Sequence, residues 1–287
     1  MGKAVIAGQL DGLRITAPPT VGDARYELAI GAECVHLNDL LGCGLRIKLR
    51  PQKHCRHCQK AVTKLQRGGY CGNCFFALAR CDTCFVNPQR CHFALGTCRE
   101  PDWGMQTCMQ PHVVYLANSG GLKVGLTQDQ KQQQRWLSQG ATQGLVIARA
   151  TSRRAAGILE ATIAQQISDR TQWRKMVALA PVPVDLQAVR QRLQQSVELA
   201  ADCQWVTDAT EQQLTYPVQA YAPPRQHQLN ADKLELADNL VGIKGQYLLL
   251  QHGVFNVARH VGLNVELSIT TPISVLEAHQ SDQLSLF

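Results

Sequence analysis

The chain has 287 residues, 45% of them hydrophobic, and carries 29 Lys+Arg against 22 Asp+Glu for a net charge of +7. That length accommodates two or three small domains, each with its own core, and the mild basic excess suits a polyanionic partner without requiring one. No apolar run approaches the ~18 residues of a membrane span, and the N-terminal MGKAVIAGQLDG is too weakly apolar for a signal peptide, so the expectation is a cytoplasmic protein with no membrane partner.

Residues 1–50 hold short alternating runs (AVIAG, RYELAI, LRIKL) broken by Gly, Pro and Asp, and read as a β-rich segment. Cys34 and Cys43 lie there without a CxxC partner and are expected to be buried thiols. Of the 12 cysteines, nine fall between Cys55 and Cys108, inside a segment (51–111) with little periodicity. In a reducing compartment that density points to metal rather than to disulfides.

Cys55-x-x-Cys58 and Cys71-x-x-Cys74 have the spacing of two knuckles that close a structural four-thiolate zinc site. The loop between them carries Lys60, Lys64 and Arg67, which either touch phosphates or form a solvated charged loop. A second set follows, with Cys81-x-x-Cys84 completed by Cys98 and Cys108 as ligands of a second zinc, and with Cys91 and His92 as competing donors. Metal affinity at either site would be coupled to folding.

From His112 to about residue 180 the pattern is strand, glycine turn, strand, helix, strand, helix. Tyr115 follows Val113 and Val114 on the first strand, with its side chain opposite in direction to that of Val114. Thr127 and Gln130 have capping-box spacing for the helix that carries Arg135 and Trp136, and Gly140 suits its C-terminal end. Thr151 or Ser152 is the expected cap of the helix carrying Arg153, Arg154 and Glu160. A guanidinium such as that of Arg135 fits phosphate oxygens, and one carboxylate with several waters is an ordinary way to hold Mg²⁺. Arg153 and Arg154 are candidate contacts to a nucleic-acid backbone, and Trp136 is a candidate for stacking on a base.

Residues 181–275 read as an amphipathic packing helix (DLQAVRQRLQQSVELAA), a proline-rich loop, and β segments (LVGIKGQYLLL, GVFNVARHVG, NVELSIT). Because both ends of the chain look strand-like, they could pair into one β domain flanking the middle. Residues 276–287 form a polar tail ending in Gln283-Leu284-Ser285-Leu286-Phe287.

The ordered set Val113-Val114-Tyr115, Lys123-Val124-Gly125-Leu126-Thr127, Arg135 and Glu160 resembles the GIY-YIG nuclease superfamily over residues 112–176 or so. The resemblance implies an α+β unit on a small three-stranded antiparallel sheet that cleaves phosphodiester bonds with one divalent metal. By that likeness Tyr115, Lys123, Arg135 and Glu160 are the catalytic residues, with Mg or Mn on Glu160 and with Tyr115 orienting or deprotonating the attacking water. The chain departs from the pattern in having VVY for GIY and KVG for YIG, so that Lys123 stands in place of a tyrosine, as a phosphate contact or as a base of lowered pKa. The whole chain, including GTCREPDWG and DRTQWRKM, is also similar to an uncharacterised bacterial family of cysteine-rich proteins.

The terminal peptide resembles the bacterial sliding-clamp-binding peptide, in which a glutamine and a Leu-Phe pair act as anchors. Taken together, these readings predict a zinc-braced, metal-dependent DNA endonuclease recruited by the replication sliding clamp. Two alternatives stand beside it: a noncatalytic zinc-containing nucleic-acid-binding adaptor, and an RNA-directed protein.

Overall fold

The structure is a computed structural model and describes residues 5–18, 22–230 and 233–271. Strands β1 (Val5–Thr16), β2 (Arg25–Ile30), β3 (Glu33–His36), β4 (Gly44–His54) and β5 (Ala61–Val62) precede the short helices α1 (Gly72–Ala77), α2 (Thr83–Val86) and α3 (Pro101–Thr107). Next come β6 (His112–Asn118), β7 (Leu122–Gln128), α4 (Gln132–Ser138), β8 (Gln143–Ala150), α5 (Arg153–Ile163), α6 (Trp173–Ala178), α7 (Leu186–Ser196), β9 (Cys203–Trp205) and β10 (Gln212–Gln213). The last elements are β11 (Gln226–His227), β12 (Glu235–Lys244), β13 (Tyr247–Leu250), β14 (Gly253–Asn256) and β15 (Leu263–Thr270). No helix among the described residues is long and apolar enough to cross a membrane.

The protein is mixed α+β and divides into two compact units. Unit 1 joins Met1–Cys74 to Tyr216–Phe287, and unit 2 is Phe75–Thr215. One boundary therefore falls inside the cysteine-rich segment, which the sequence treats as a single module. The first pair of knuckles stays with the sheet of unit 1, and the later cysteines belong with the helices of unit 2.

Unit 1 is one sheet in the order β11-β14-β13-β12-β4-β15-β1-β2-β3, with β5 added to β4. The pairing is antiparallel except for β11 with β14. β1 pairs with β15 from Val5↔Ser268 to Gln9↔Asn264, so strands from the two ends of the chain lie side by side. Alternation builds the core: Tyr26, Leu28 and Ile30 of β2 are buried, as are Leu45, Ile47 and Leu49 of β4. Cys34 departs from the expected burial, being exposed on the edge strand β3 with Arg14 Nη1 donating to its sulfur at 3.1 Å.

Unit 2 is built on the antiparallel sheet β10-β8-β6-β7, with β9 also paired to β8. The expected three-stranded sheet thus gains two short strands from residues beyond 200. Val114, Leu116, Val124, Leu126, Leu145 and Ile147 share their core with Ala155, Ala156, Leu159 and Ile163 of α5 and with Leu186, Val189 and Leu193 of α7. The spacing on α5 (155, 156, 159, 163) is one helical face, and each large aliphatic buried there contributes about 1.5–3 kcal/mol. Ser152 caps α5 by accepting from the Ala155 N–H at 3.2 Å, and Asp185 caps α7 through the Ala188 N–H at 2.9 Å.

The capping box expected at Thr127 does not form. β7 continues through the pairs Val113↔Thr127 and His112↔Gln128, and α4 starts only at Gln132, after a 3-10 turn over Asp129–Lys131. The sheet ladder takes the residues that the local pattern assigned to the helix start.

Candidate active site and cysteine centres

The β6–β7 hairpin sets the first two candidate residues. Tyr115 pairs with Gly125 and Ala117 with Lys123, so Tyr115 and Lys123 share the sheet face opposite Val114 and Leu116. The tyrosine is fully enclosed at 0% exposure and Lys123 nearly so at 4%. A β-carbon at Gly125 would lie 2.5 Å from both the hydroxyl and the ring of Tyr115, so the glycine is what leaves room for the ring. Tyr115 Oη donates to Gln139 Oε1 at 2.9 Å. Trp136 meets the Tyr115 ring edge-on with centroids 5.9 Å apart.

Arg135 on α4 is exposed, and Glu160 on α5 is half-buried. Both lie near the hairpin residues. Burial raises the Tyr115 hydroxyl above its ordinary value, while the nearby Arg135 guanidinium and the Gln139 hydrogen bond oppose the rise. Burial and Arg135 bring the Lys123 ammonium down to about 8, against the pull of Glu160 and Asp169. Burial and the neighbouring Asp169 raise the Glu160 carboxyl, while Lys123, Arg135 and Arg153 hold it back. The four sequence candidates are thus electrostatic neighbours of one another, with Asp169 as a fifth member.

Asp169 reaches this cluster because the chain after α5 folds back onto β7. Val124 N–H of that edge strand donates to Ser168 O at 2.9 Å, which places the next residue beside Lys123. Farther on, α6 lies so close to the hairpin turn that a β-carbon at Gly120 would fall 2.6 Å from Met176 N. Glu160 and Asp169 are thus two carboxylates whose charges oppose each other beside Lys123. In the sequence Asp169 appears only within the DRTQWRKM stretch, with no role attached to it, and Gln139 gives no signal at all.

Two residues assigned to nucleic acid are corrected. Trp136 is 1% exposed, and its ring occupies the space where a β-carbon of Gly144 would stand, so it offers no face to a base. Arg153 turns toward the cysteine segment: its Nη2 donates to Phe85 O at 2.8 Å and its guanidinium lies 4.4 Å from the Phe85 ring. Arg154 is exposed.

In unit 1 the ligand atoms of Cys55, Cys58, Cys71 and Cys74 all lie within 4.8 Å of one another, and the sulfurs of Cys58 and Cys71 are 3.8 Å apart. Gln59, one residue past the first knuckle, adopts the left-handed conformation at φ 58°, which turns the chain so that both thiols face inward. Although burial alone would raise it, the Cys55 thiol is brought down to about 6 by the backbone N–H groups of Cys58, Cys71 and His57. These four thiols form a site that could hold zinc.

In the second cysteine set, the ligand atoms of Asp82, Cys84 and His92 lie within 4.8 Å of one another. Cys84, Cys98 and Cys108 line one small cavity together with Cys91, His92, Phe85, Phe93 and Trp103, whereas Cys81 is not among the residues lining it. Asp82 stands between the CxxC cysteines as the N-cap of α2, accepting from Cys84 N–H at 3.4 Å. Cys81 thus ends the preceding 3-10 turn while Cys84 lies inside the helix.

Unit 1 also holds a cavity of about 780 Å³ whose walls include Lys53, Lys64, Arg67 and Arg259 and, among the described residues, no carboxylate. Lys64 and Arg67 come from the loop between the knuckles.

The fold and these sites define a two-unit, cysteine-rich α+β protein with one four-thiol centre and one acid–base cluster at a sheet edge. The chain belongs to the family described as Protein of unknown function (DUF2797), which matches residues 42–265. No curated protein and no solved structure matches it. The terminal residues Gln283, Leu284, Ser285, Leu286 and Phe287 lie outside the described residues.

Proposed function

We propose that unit 2 is a metal-dependent DNA endonuclease of GIY-YIG type. The observation that supports this most directly is the clustering of Tyr115, Lys123, Arg135 and Glu160 with Asp169, five residues drawn from separate stretches of chain. A divalent cation on Glu160 and Asp169 would supply positive charge to the scissile phosphate. Arg135, on the exposed side of the cluster, binds phosphate oxygens and offsets their charge. Lys123, at about 8, is poised to take a proton from an attacking water near neutral pH. Tyr115 keeps its proton and works as a fixed hydrogen-bonding group, held by Gln139.

In the same reading Cys55, Cys58, Cys71 and Cys74 hold a structural zinc, and the basic cavity of unit 1 takes a stretch of nucleic-acid backbone. The terminal QLSLF peptide brings the protein to the replication sliding clamp. The test is cleavage of branched, nicked and flapped DNA with Mg²⁺ or Mn²⁺. Glu160→Gln is expected to lower the rate on the order of 10²-fold or more while leaving DNA binding intact. Deleting residues 283–287 should abolish clamp binding and spare intrinsic cleavage; clamp binding that survives the deletion removes the recruitment step.

One observation favours a second reading. Tyr115 is wholly enclosed, which suits a noncatalytic nucleic-acid-binding adaptor that keeps the packing and lacks the chemistry. Protein that binds these DNAs and cuts none of them under either metal establishes the adaptor.

A further inference from the structure

Asp82, Cys84 and His92 of unit 2 meet because two short turns face each other. Asp82 caps α2 and Cys84 lies in the first turn of that helix, so carboxylate and thiol leave the chain side by side. One oxygen of the carboxylate serves the cap: Oδ1 accepts from Thr83 Oγ1 at 3.1 Å and from Cys84 N–H at 3.4 Å. The other, Oδ2, looks outward to His92, which precedes the 3-10 turn Phe93–Leu95 and brings its Nε2 to 3.5 Å.

The far side of the imidazole decides what Nε2 can offer. Thr97 Oγ1 lies 2.8 Å from His92 Nδ1, and the same hydroxyl donates to His92 O at 3.3 Å. Its proton being used there, the hydroxyl accepts from the ring, which assigns the imidazole proton to Nδ1 and the lone pair to Nε2. That lone pair then faces a carboxylate oxygen, with the Cys84 sulfur within 4.8 Å of both. Three electron-pair donors pointed at one another, on a carboxylate that is only 8% exposed, call for a cation between them.

We propose that Asp82 Oδ2, Cys84 Sγ and His92 Nε2 ligate a single zinc ion. Oxygen and nitrogen ligands of a tetrahedral zinc, each about 2.1 Å from the metal, stand about 3.4 Å apart. Asp82 and His92 already keep that spacing, at 3.5 Å. Sulfur, nitrogen and oxygen together suit zinc, whereas Mg²⁺ and Ca²⁺ take oxygen alone.

A water supplies the fourth ligand. Cys84 and His92 line an enclosed cavity of about 20 Å³, which has room for one water-sized body, and Cys91, Cys98 and Cys108 help to wall it in. Outer partners hold the ligands in place. Arg99 Nε donates to Asp82 Oδ2 at 2.7 Å while its Nη1 donates to Phe75 O at 3.2 Å, and Thr97 orients the ring. The ion thereby fastens the start of α2 to the turn at His92. Arg153 of α5 donates to Phe85 O on that same helix at 2.8 Å. The assignment is independent of whether unit 2 cuts DNA.

The test is the zinc content of the full chain after dialysis, with the four-thiol centre of unit 1 as internal reference. The expected result is two zinc ions per chain in wild type and one in His92→Ala. Because that variant can fail to fold, Thr97→Val is measured beside it. It keeps every ligand and loses only the bond that aims the ring, so the weaker of the two zinc ions should pass to a competing chelator about 10–100-fold more readily. In protein loaded with Co²⁺, the difference between wild type and His92→Ala should carry the sulfur-to-cobalt absorption of one thiolate. One zinc per wild-type chain overturns the assignment, as do two ions held equally tightly in wild type, His92→Ala and Thr97→Val. A difference spectrum with the intensity of four thiolates assigns the ion to the neighbouring cysteines and overturns this ligand set.

Discussion

The ring of Tyr115 fills the space that a side chain at Gly125 would need, with only 2.5 Å between its hydroxyl and the place a β-carbon on that glycine would take. The pair sits directly across the β6–β7 ladder, so neither strand can shift without breaking its register. Gly125→Ala is expected to destabilise unit 2 by about 1–3 kcal/mol through overpacking. Thermal unfolding measures it, and an unchanged midpoint would show that the ring does not occupy this position in solution.

In unit 1, Lys244 is 2% exposed, with its Nζ 5.7 Å from the Tyr216 ring and 5.4 Å from the Tyr221 ring. Burial lowers its ammonium from 10.5 to about 8. Burial also raises both tyrosine hydroxyls, so the rings stay neutral while the lysine titrates. Below about 8 the folded chain carries the full cost of the enclosed charge; between about 8 and 10.5 the unfolded chain binds the extra proton and stability rises with pH. Denaturant titrations of Lys244→Met should show that part of the rise removed and the protein more stable at pH 7. A parallel pH profile in wild type and variant would contradict the caged position.

The basic cavity predicts a salt signature. Arg67→Glu with Arg259→Glu should weaken binding of duplex DNA and flatten the dependence of log affinity on log salt by about 0.9 for each phosphate that is no longer neutralised. Fluorescence anisotropy across a salt series reads this directly. Identical slopes would mean that this cavity is not where the backbone lies.

Removing the metal at Cys55, Cys58, Cys71 and Cys74 should act on stability rather than on rate. Structural zinc in small folds is worth about 10–16 kcal/mol of apparent binding energy, and that energy is coupled to folding. Chelator, or Cys71→Ser, is therefore expected to lower the unfolding transition of unit 1, with zinc release tracking the loss of structure. Calorimetry with and without chelator decides it, and a transition that ignores zinc loss would exclude a structural role.

Patterns set by near neighbours in the chain could be read from the sequence. The strands around Tyr115 and Lys123, the Ser152 cap, the apolar face of the 186–196 helix and the first pair of knuckles all follow from spacings of a few residues. Features that depend on distant pairing could not. Asp169 enters the site only because Ser168 bonds to the edge of β7, and Trp136 is buried by a glycine on the next strand. Cys81 and Cys84 have knuckle spacing, but Asp82 uses the intervening turn to start a helix. Cys91, held open as a competitor, lines the cavity through the packing of the 3-10 turn before it.

The insertion of unit 2 within unit 1 has a consequence for biosynthesis. Both long neighbours of β4 come from the far end of the chain, since Glu235 pairs with Lys48 and Thr270 with Gly44. All of Phe75–Thr215 is thus synthesised before the central strands of the first sheet can meet, so every residue of unit 2 is available to fold by then. On the ribosome the helix-rich middle can fold while the earlier strands still wait for their partners, so the segment made first completes its fold last.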